Sequence, residues 1–361
     1  MTYLQRFYTF EKPEEQPLHP FSQSCYIGEQ GSFDPRWKRL LEPLEARSNL
    51  IKLEPLELET TEITVEELVR FFDNPLKVFC HKRLDLRFEN NEQEIEDTEP
   101  FSISSLTDFK IREDFFEHLL AGDSLEVSRM RHQLSGNLPE SPIMVSALDT
   151  LEQEAELFSQ ALLHKGSIVS QSIEVKIADL SIQAQLHWLE ETGQFIVWRP
   201  ATRKAKDDIR LWLTHLLATI YTDKMIETQG IFLNYNKYKN EREVKAVMIP
   251  EHITVETAKS ELKKLLSIWQ SGLCQPRLLH AVLGKSLFEK GQLKDIDSAV
   301  VAEKQISNWN REVKSDRNRI TLVDDPYFKW FYPEPPELTP EIQQHLLDSY
   351  QAVYENLQEL K

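Results

Sequence analysis

Residues Ser181–Arg199, SIQAQLHWLEETGQFIVWR, constrain the fold of this chain more tightly than any other stretch. Ile182, Ala184, Leu186 and Trp188 alternate with polar residues, the period-two pattern of a strand with one buried face. Glu190–Gly193 supplies a turn, and the apolar run Phe195–Trp198 reads as a second strand. The helix Lys206–Tyr221 follows, with Ile209, Leu213, Leu216, Leu217 and Ile220 at helical spacing. Ile168–Leu180 adds strand character just upstream. A strand pair that feeds an amphipathic helix predicts an α/β fold, a mixed sheet flanked by helices.

Strand, turn, strand, helix is also the core order of metal-dependent nucleases of the restriction-endonuclease-like, PD-(D/E)xK fold, and the segment resembles it. Such nucleases set two carboxylates and a lysine on the strand pair. Mg²⁺ takes hard oxygen ligands, and the lysine faces the attacked phosphate. Here Val197, Trp198 and Arg199 stand where aspartate, tyrosine and lysine are expected. The resemblance implies the scaffold with a degenerate metal site.

Charge and cysteine content narrow the partners. The formal net charge is -17, so the surface as a whole repels phosphate and does not wrap nucleic acid. A local basic groove or a protein partner stays open. Hydrophobic residues at 40% and aromatics at 10% suit a packed globular chain rather than a disordered one. Cys25, Cys80 and Cys274 are far apart and form no C-x-x-C, which leaves no zinc or iron–sulfur site and points to a reducing cytoplasm. Met1–Pro20 lacks the apolar core of a leader, and no window approaches the length that spans a bilayer, so no membrane association is expected.

Residues 1–60 read as an extended arm with one short helix, Arg36–Ala46, because prolines 13, 17, 20, 35, 43 and 55 interrupt any longer pattern. A second domain, 61–361, opens with Thr64 as N-cap and Glu67 completing a capping box before Leu68, Phe71 and Phe72. Asn74–Pro75 breaks that helix, Leu76–Arg83 forms another, and Leu84–Phe88 alternates like a strand. Asn90–Glu99 is an acidic loop, Phe101–Leu106 a turn, Ile111–Ala121 a helix, and Val145–His164 a longer helix closed at Lys165–Gly166. Gly230–Leu233 and Val244–Ile249 are expected strands. Thr254–Trp269, Arg277–Leu287, Ser298–Trp309 and Pro340–Leu360 are expected helices.

In this order the pieces resemble the C-terminal part of bacterial exodeoxyribonuclease V gamma subunits, the RecC family. His19–Pro20–Phe21–Ser22 followed by Ser32–Phe33–Asp34, the opening Ile63–Phe88, the turn Ser135–Pro139, Trp198–Arg199–Pro200 and Asp325–Pro326–Tyr327–Phe328 carry the resemblance. It implies a C-terminal fragment whose 61–361 domain is RecB-nuclease-like. It further implies a place in the RecBCD helicase–nuclease against the RecB and RecD subunits, where gamma subunits hold split DNA strands. The helicase-like domains that read Chi in the family are absent from the chain, so no Chi contact is carried over. The function expected is a non-catalytic scaffold that guides DNA during double-strand-break repair by recombination. The alternative is an active Mg²⁺-dependent exonuclease with a displaced carboxylate site. No cofactor is called for by any motif.

Residue by residue, chemistry is sparse. Two E-x-K triplets, Glu174–Lys176 and Glu243–Lys245, fall on expected strands, but neither has a partner acid upstream. Asp179 reads as a turn residue unless a register slip brings it near Glu190. His118 and His215 sit on helices with no metal-ligand spacing and read as packing residues. Arg199, Arg203, Lys204, Lys206 and Arg210 form the dense basic group. They either track a DNA backbone, with Trp198 or Trp212 stacking on bases, or pair with Asp207 and Asp208 at a solvated helix start. Phe328, Trp330, Phe331 and Tyr332 in the segment Tyr327–Pro336 form either a partner contact or a strap over the chain's own core.

Overall fold

The computed structural model describes residues 53–54, 62–88, 103–135, 138, 142–286, 288–289, 292–293, 325–332 and 339–360. All of them belong to one unit, Leu50–Lys361. The expected arm 1–60 with its helix Arg36–Ala46, apart from Leu53 and Glu54, lies outside them. So do the acidic loop and Ser298–Trp309.

Strand β1 (Glu62–Thr64) runs straight into helix α1 (Val65–Asp73). The capping box forms as the sequence predicts: the Glu67 N–H donates to Thr64 Oγ1 at 3.3 Å, and the Thr64 N–H to Glu67 Oε2 at 3.0 Å. Asn74 ends α1 and starts α2 (Pro75–Phe79) by accepting from the Lys77 N–H at 3.0 Å. Leu84–Phe88 is not a strand. Cys80–Leu84 continues as one wider, π-helical turn, and Asp85 ends it in the left-handed region at φ 49°. The alternation there serves irregular chain, from which Leu84 and Phe88 pack onto the core. Helix α3 (Ser105–Ala121) begins six residues before the expected Ile111, because Ser104 caps it through the Thr107 N–H. Helix α4 (Glu126–Leu134) is short, and α5 (Pro142–Leu163) is long.

The sheet then forms in chain order. Strands β2 (Ile168–Ile177) and β3 (Leu180–Leu189) make a full-length antiparallel hairpin. Gly193, at φ 68°, turns β3 towards β4 (Phe195–Arg199), which meets it at Trp188–Phe195. Since β2 occupies one edge of β3, β1 and β4 share the other: β1 pairs in parallel with Ser181–Gln183 and β4 with the far end. Helix α6 (Ala205–Thr222) crosses over to β5 (Thr228–Asn236), which runs parallel to β4. Strand β6 (Glu241–Ile249) returns antiparallel. Helix α7 (Val255–Cys274) follows, capped by Thr254. Of the expected helix Arg277–Leu287, the described residues are helical in α8 (Ala281–Ser286); Leu278 and Leu279 are buried from irregular chain before it. A two-residue ladder, β7 (Phe288–Glu289) and β8 (Gln292–Leu293), precedes α9 (Pro326–Phe331) and α10 (Pro340–Asn356). Strand β9 (Gln358–Glu359) closes the described sheet on β6.

The result is a seven-stranded mixed sheet with a core on each face. Phe195 and Val197 of β4 face α1, α6, α7 and α10, whereas Ile196 and Trp198 face α3 and α5. Gly272 of α7 lets Phe71 of α1 pack against its backbone; a Cβ there would meet the ring at 2.4 Å. Tyr350 of α10 donates its hydroxyl to the Phe72 carbonyl at 2.6 Å and ties the C-terminal helix to α1. Among the described residues, no helix is long and apolar enough to cross a membrane.

Candidate functional site

The end of β4 and the start of α6 gather several charged side chains on the face of the sheet that packs against α1 and α6. Val197 is buried and offers no donor. Two residues on, and so on the same face of the strand, Arg199 grips Asp207 with both arms of its guanidinium, at 2.9 Å and 2.5 Å. The Asp207 carboxylate also accepts from the Lys204 N–H at 2.6 Å, satisfying a donor at the helix start. Arg203 pairs with Asp208, which Lys285 also reaches at 3.0 Å. Asp207 and Asp208 are 1% and 0% exposed, so these are buried ion pairs and not a solvated helix start. Arg210 reaches back to Glu66 on α1 at 2.6 Å. Lys204 remains exposed and Lys206 half-buried. Burial lifts the Asp73 carboxyl at the end of α1 above its ordinary range, against the pull of Lys206, while Asp207 adds to the lift.

The acidic pair explains the basic run: carboxylates at a helix N-terminus are favoured by the helix dipole, and the neighbouring arginines neutralise them. On the opposite face, Trp198 packs against His187 with ring centroids 4.5 Å apart, and His187 shares a hydrogen bond with Ser170 at 2.6 Å. Burial lowers the His187 pKa. Trp212 is 1% exposed and stacked against His215 inside the core, so it presents no surface for a base.

The other sequence candidates are dispersed. Glu174 accepts from Ser181 at 2.5 Å and lies 3.7 Å from Lys176 on the outer hairpin. Glu243 pairs with Lys245 at 3.1 Å on β6. Asp179 sits in the β2–β3 turn, whereas Glu190 follows the far end of β3; the observed register holds them at opposite ends of the hairpin. His118 lies 3.4 Å from Asp123 at the end of α3. His215 bonds to Thr228 at 2.9 Å, and burial takes its pKa down to about 4. Among the described residues, no group of three or more His, Cys, Asp or Glu is placed to hold a metal ion. Val197 and the ion-paired Arg199 bring no side-chain oxygen to the end of β4.

The aromatic segment folds onto the chain. Asp325 caps α9 and accepts from Asn74 Nδ2 at 3.0 Å. Phe328 and Phe331 are 1% and 7% exposed, and Phe331 packs edge-on to Phe79 at 6.0 Å. Tyr332 is half-buried beside Phe328. Trp330 stays 39% exposed while touching Phe88.

One network joins three elements and escaped the sequence reading. Arg112 of α3, 2% exposed, pairs with Asp108 at 2.8 Å and with Glu154 of α5 at 2.6 Å. Arg242 of β6 joins the same two acids at 3.7 Å and 3.1 Å. Two cations and two anions thus clamp the second helical layer to the sheet, and apart from the i,i+4 pair Asp108–Arg112 these contacts join residues far apart in sequence.

These features define a mixed α/β sheet domain with buried ion pairs where β4 leads into α6 and where α3 and α5 meet β6. The family model for the RecC C-terminal domain matches residues 60–292, from just before β1 to β8, and the chain belongs to that family. It is similar to the RecBCD enzyme subunit RecC of Escherichia coli K12, 27% identical over 202 residues, which covers 55% of this chain and 18% of that protein. The RecBCD enzyme subunit RecC of Buchnera aphidicola subsp. Schizaphis graminum is 30% identical over 164 residues, 45% of this chain and 15% of that one. That of Haemophilus influenzae is 22% identical over 241 residues, 60% and 20% respectively. The matches thus span about a fifth or less of the length of these relatives.

Proposed function

We propose that this chain is a non-catalytic, nuclease-like domain of a RecC-type subunit, which scaffolds a RecBCD assembly and guides DNA strands during recombinational repair of double-strand breaks. The observation that carries the reading is the Arg199–Asp207 pair beside Val197. The cation that stands at the nuclease lysine position is held by an internal carboxylate, and the acid position is apolar.

The restriction-endonuclease-like assignment rests on the order of elements: a β2–β3–β4 meander, then α6 crossing to a parallel β5. With Arg199, Arg203 and Arg210 paired with carboxylates, DNA contact by the basic group, Lys204 and Lys206 included, is weak in the isolated chain. The partners in this reading are RecB and RecD, in the cytoplasm. The N-terminal arm 1–60 serves as an accessory to the 61–361 domain, and Trp330 is the partner-facing member of the aromatic segment. Co-purification with RecB and RecD tests the assignment. Stable co-elution is expected, and a chain that binds neither subunit contradicts it.

A further inference from the structure

The turn between β5 and β6 holds aromatic rings in water. Tyr238 is 102% exposed and Tyr235 44%, and Lys237, Lys239 and Asn240 beside them are exposed as well. From Asn234 to Glu243 the chain reads NYNKYKNERE, with no aliphatic side chain. A ring left wholly in solvent adds no burial to the fold. The turn is nevertheless built to keep it there. Asn236 Oδ1 accepts from the Tyr238 and Lys239 N–H groups at 3.0 Å and 3.3 Å. The Tyr235 hydroxyl donates across the turn to Asn240 Oδ1 at 2.5 Å, and Asn240 takes the left-handed conformation at φ 55°. At the foot of the turn, Asn234 Oδ1 accepts from the Arg203 N–H at 2.9 Å, and Thr202 Oγ1 from the Tyr235 N–H at 3.3 Å. Arg242 lies over the Tyr235 ring, 5.8 Å from its centre.

The charges single out one class of ligand. In a chain of net charge -17, this hairpin carries Lys237, Lys239, Arg242 and Lys245 against Glu241 and Glu243. Lys239 lies 3.7 Å from Glu241 and Lys245 3.1 Å from Glu243, in pairs that solvent screens. The acids that approach from other elements are also paired: Asp108 and Glu154 with Arg242, and Glu359 with Arg203. Lys237 makes no ion pair among the described residues. A protein partner would have to strip water from these amines, and lysine is depleted at the cores of protein interfaces. A single nucleic-acid strand needs no such step. Its phosphates meet lysines that stay hydrated, and its unpaired bases stack on tyrosine.

We infer that the β5–β6 turn binds an unpaired nucleic-acid strand, with Tyr238 and Tyr235 stacking on bases and Lys237 and Lys239 facing phosphates. The inference rests on the strand-guiding reading, which brings DNA to the domain, and it places the contact away from the ion-paired basic group of α6.

The test uses the full chain and a fluorescent oligothymidine of about 15 nucleotides, in anisotropy titrations across a salt series. Tyr238→Ala removes only an exposed ring, so its melting temperature is expected to match wild type. Its affinity for the oligonucleotide is expected to fall at least about fivefold with an unchanged salt slope, while Tyr238→Phe keeps wild-type affinity. Lys237→Gln with Lys239→Gln is expected to flatten the slope of log K against log salt by about 1.4. A blunt duplex of the same length competes poorly, since its bases are already stacked. Photocrosslinking to a 5-iodouracil oligonucleotide is expected to label Tyr235 or Tyr238. Wild-type affinity in Tyr238→Ala, labelling confined to other segments, or no binding by the wild-type chain at low salt overturns the inference. Co-elution with RecB and RecD that is lost in Tyr238→Ala while oligonucleotide binding persists overturns it too and makes the turn a protein contact. Failure of the wild-type chain to co-elute with either subunit counts against the assembly reading alone, because the crosslink is read without them.

Discussion

Removing either half of the Arg199–Asp207 pair should destabilise the domain, and by unequal amounts. The Arg199 side chain is 14% exposed and Asp207 1%, so both charges sit where water screens little. Breaking a buried pair leaves an uncompensated charge and costs about 3–5 kcal/mol. Arg199→Met falls at the lower end, about 3 kcal/mol, because Asp207 keeps the Lys204 N–H and the positive end of α6. Asp207→Ala is costlier by about 1 kcal/mol, since it strands the guanidinium and also removes that helix-start bond. At a few degrees per kcal/mol, Arg199→Met lowers Tm by about 5–10 °C. The assay is urea and thermal unfolding followed by circular dichroism, completed by Arg199→Met with Asp207→Ala. The double variant is expected to cost less than the sum of the singles by about 2 kcal/mol. Single variants that cost less than about 0.5 kcal/mol, or costs that simply add, would show a screened surface pair and return Arg199 to the pool of DNA-binding cations.

Other outcomes follow from the same geometry. Arg112→Met leaves Asp108 and Glu154 with Arg242 as their remaining cation and should cost about 3 kcal/mol in the same unfolding assay. Phe331→Ala should cost about 3–4 kcal/mol as a core truncation, whereas Trp330→Ala should cost less than about 1.5 kcal/mol and leave a folded chain suited to partner-binding tests. His215 and His280 both have pKa values lowered to about 4 by burial, so the unfolded chain binds protons that the folded one refuses between pH 6.5 and about 4. Stability should therefore fall as pH drops through that window, and His215→Asn should flatten the fall in a Tm-versus-pH series.

What the sequence exposed and what it hid divide along physical lines. Signals confined to a few neighbouring residues were legible: the period-two strand Ile182–Trp188, the Thr64–Glu67 capping box, the Asn74–Pro75 break and the Thr254 cap. Each depends on local geometry and forms as read. The alternation of Leu84–Phe88 misled because a strand needs a partner edge, and among the described residues none pairs with it; Leu84 and Phe88 are half-buried there while Leu86 is exposed. The fate of the basic group was half legible. Pairing with Asp207 and Asp208 lay within nine residues, but the burial that turns it into a latch depends on α1, α8 and the sheet. The contacts of Arg112 and Arg242 with Glu154 depend on how α3, α5 and β6 lie against one another, and no window of sequence carries that.

The central claim is that the nuclease-like scaffold carries no nuclease chemistry, and a cleavage assay tests it most directly. Purified full chain is incubated with end-labelled single- and double-stranded DNA in Mg²⁺ or Mn²⁺, with a chelator control. The account predicts intact DNA in every lane, because Val197 supplies no oxygen and Arg199 is bound to Asp207. Degradation that stops on adding the chelator, and is lost in Glu174→Ala or Glu243→Ala, would contradict it and reveal an active site displaced from β4.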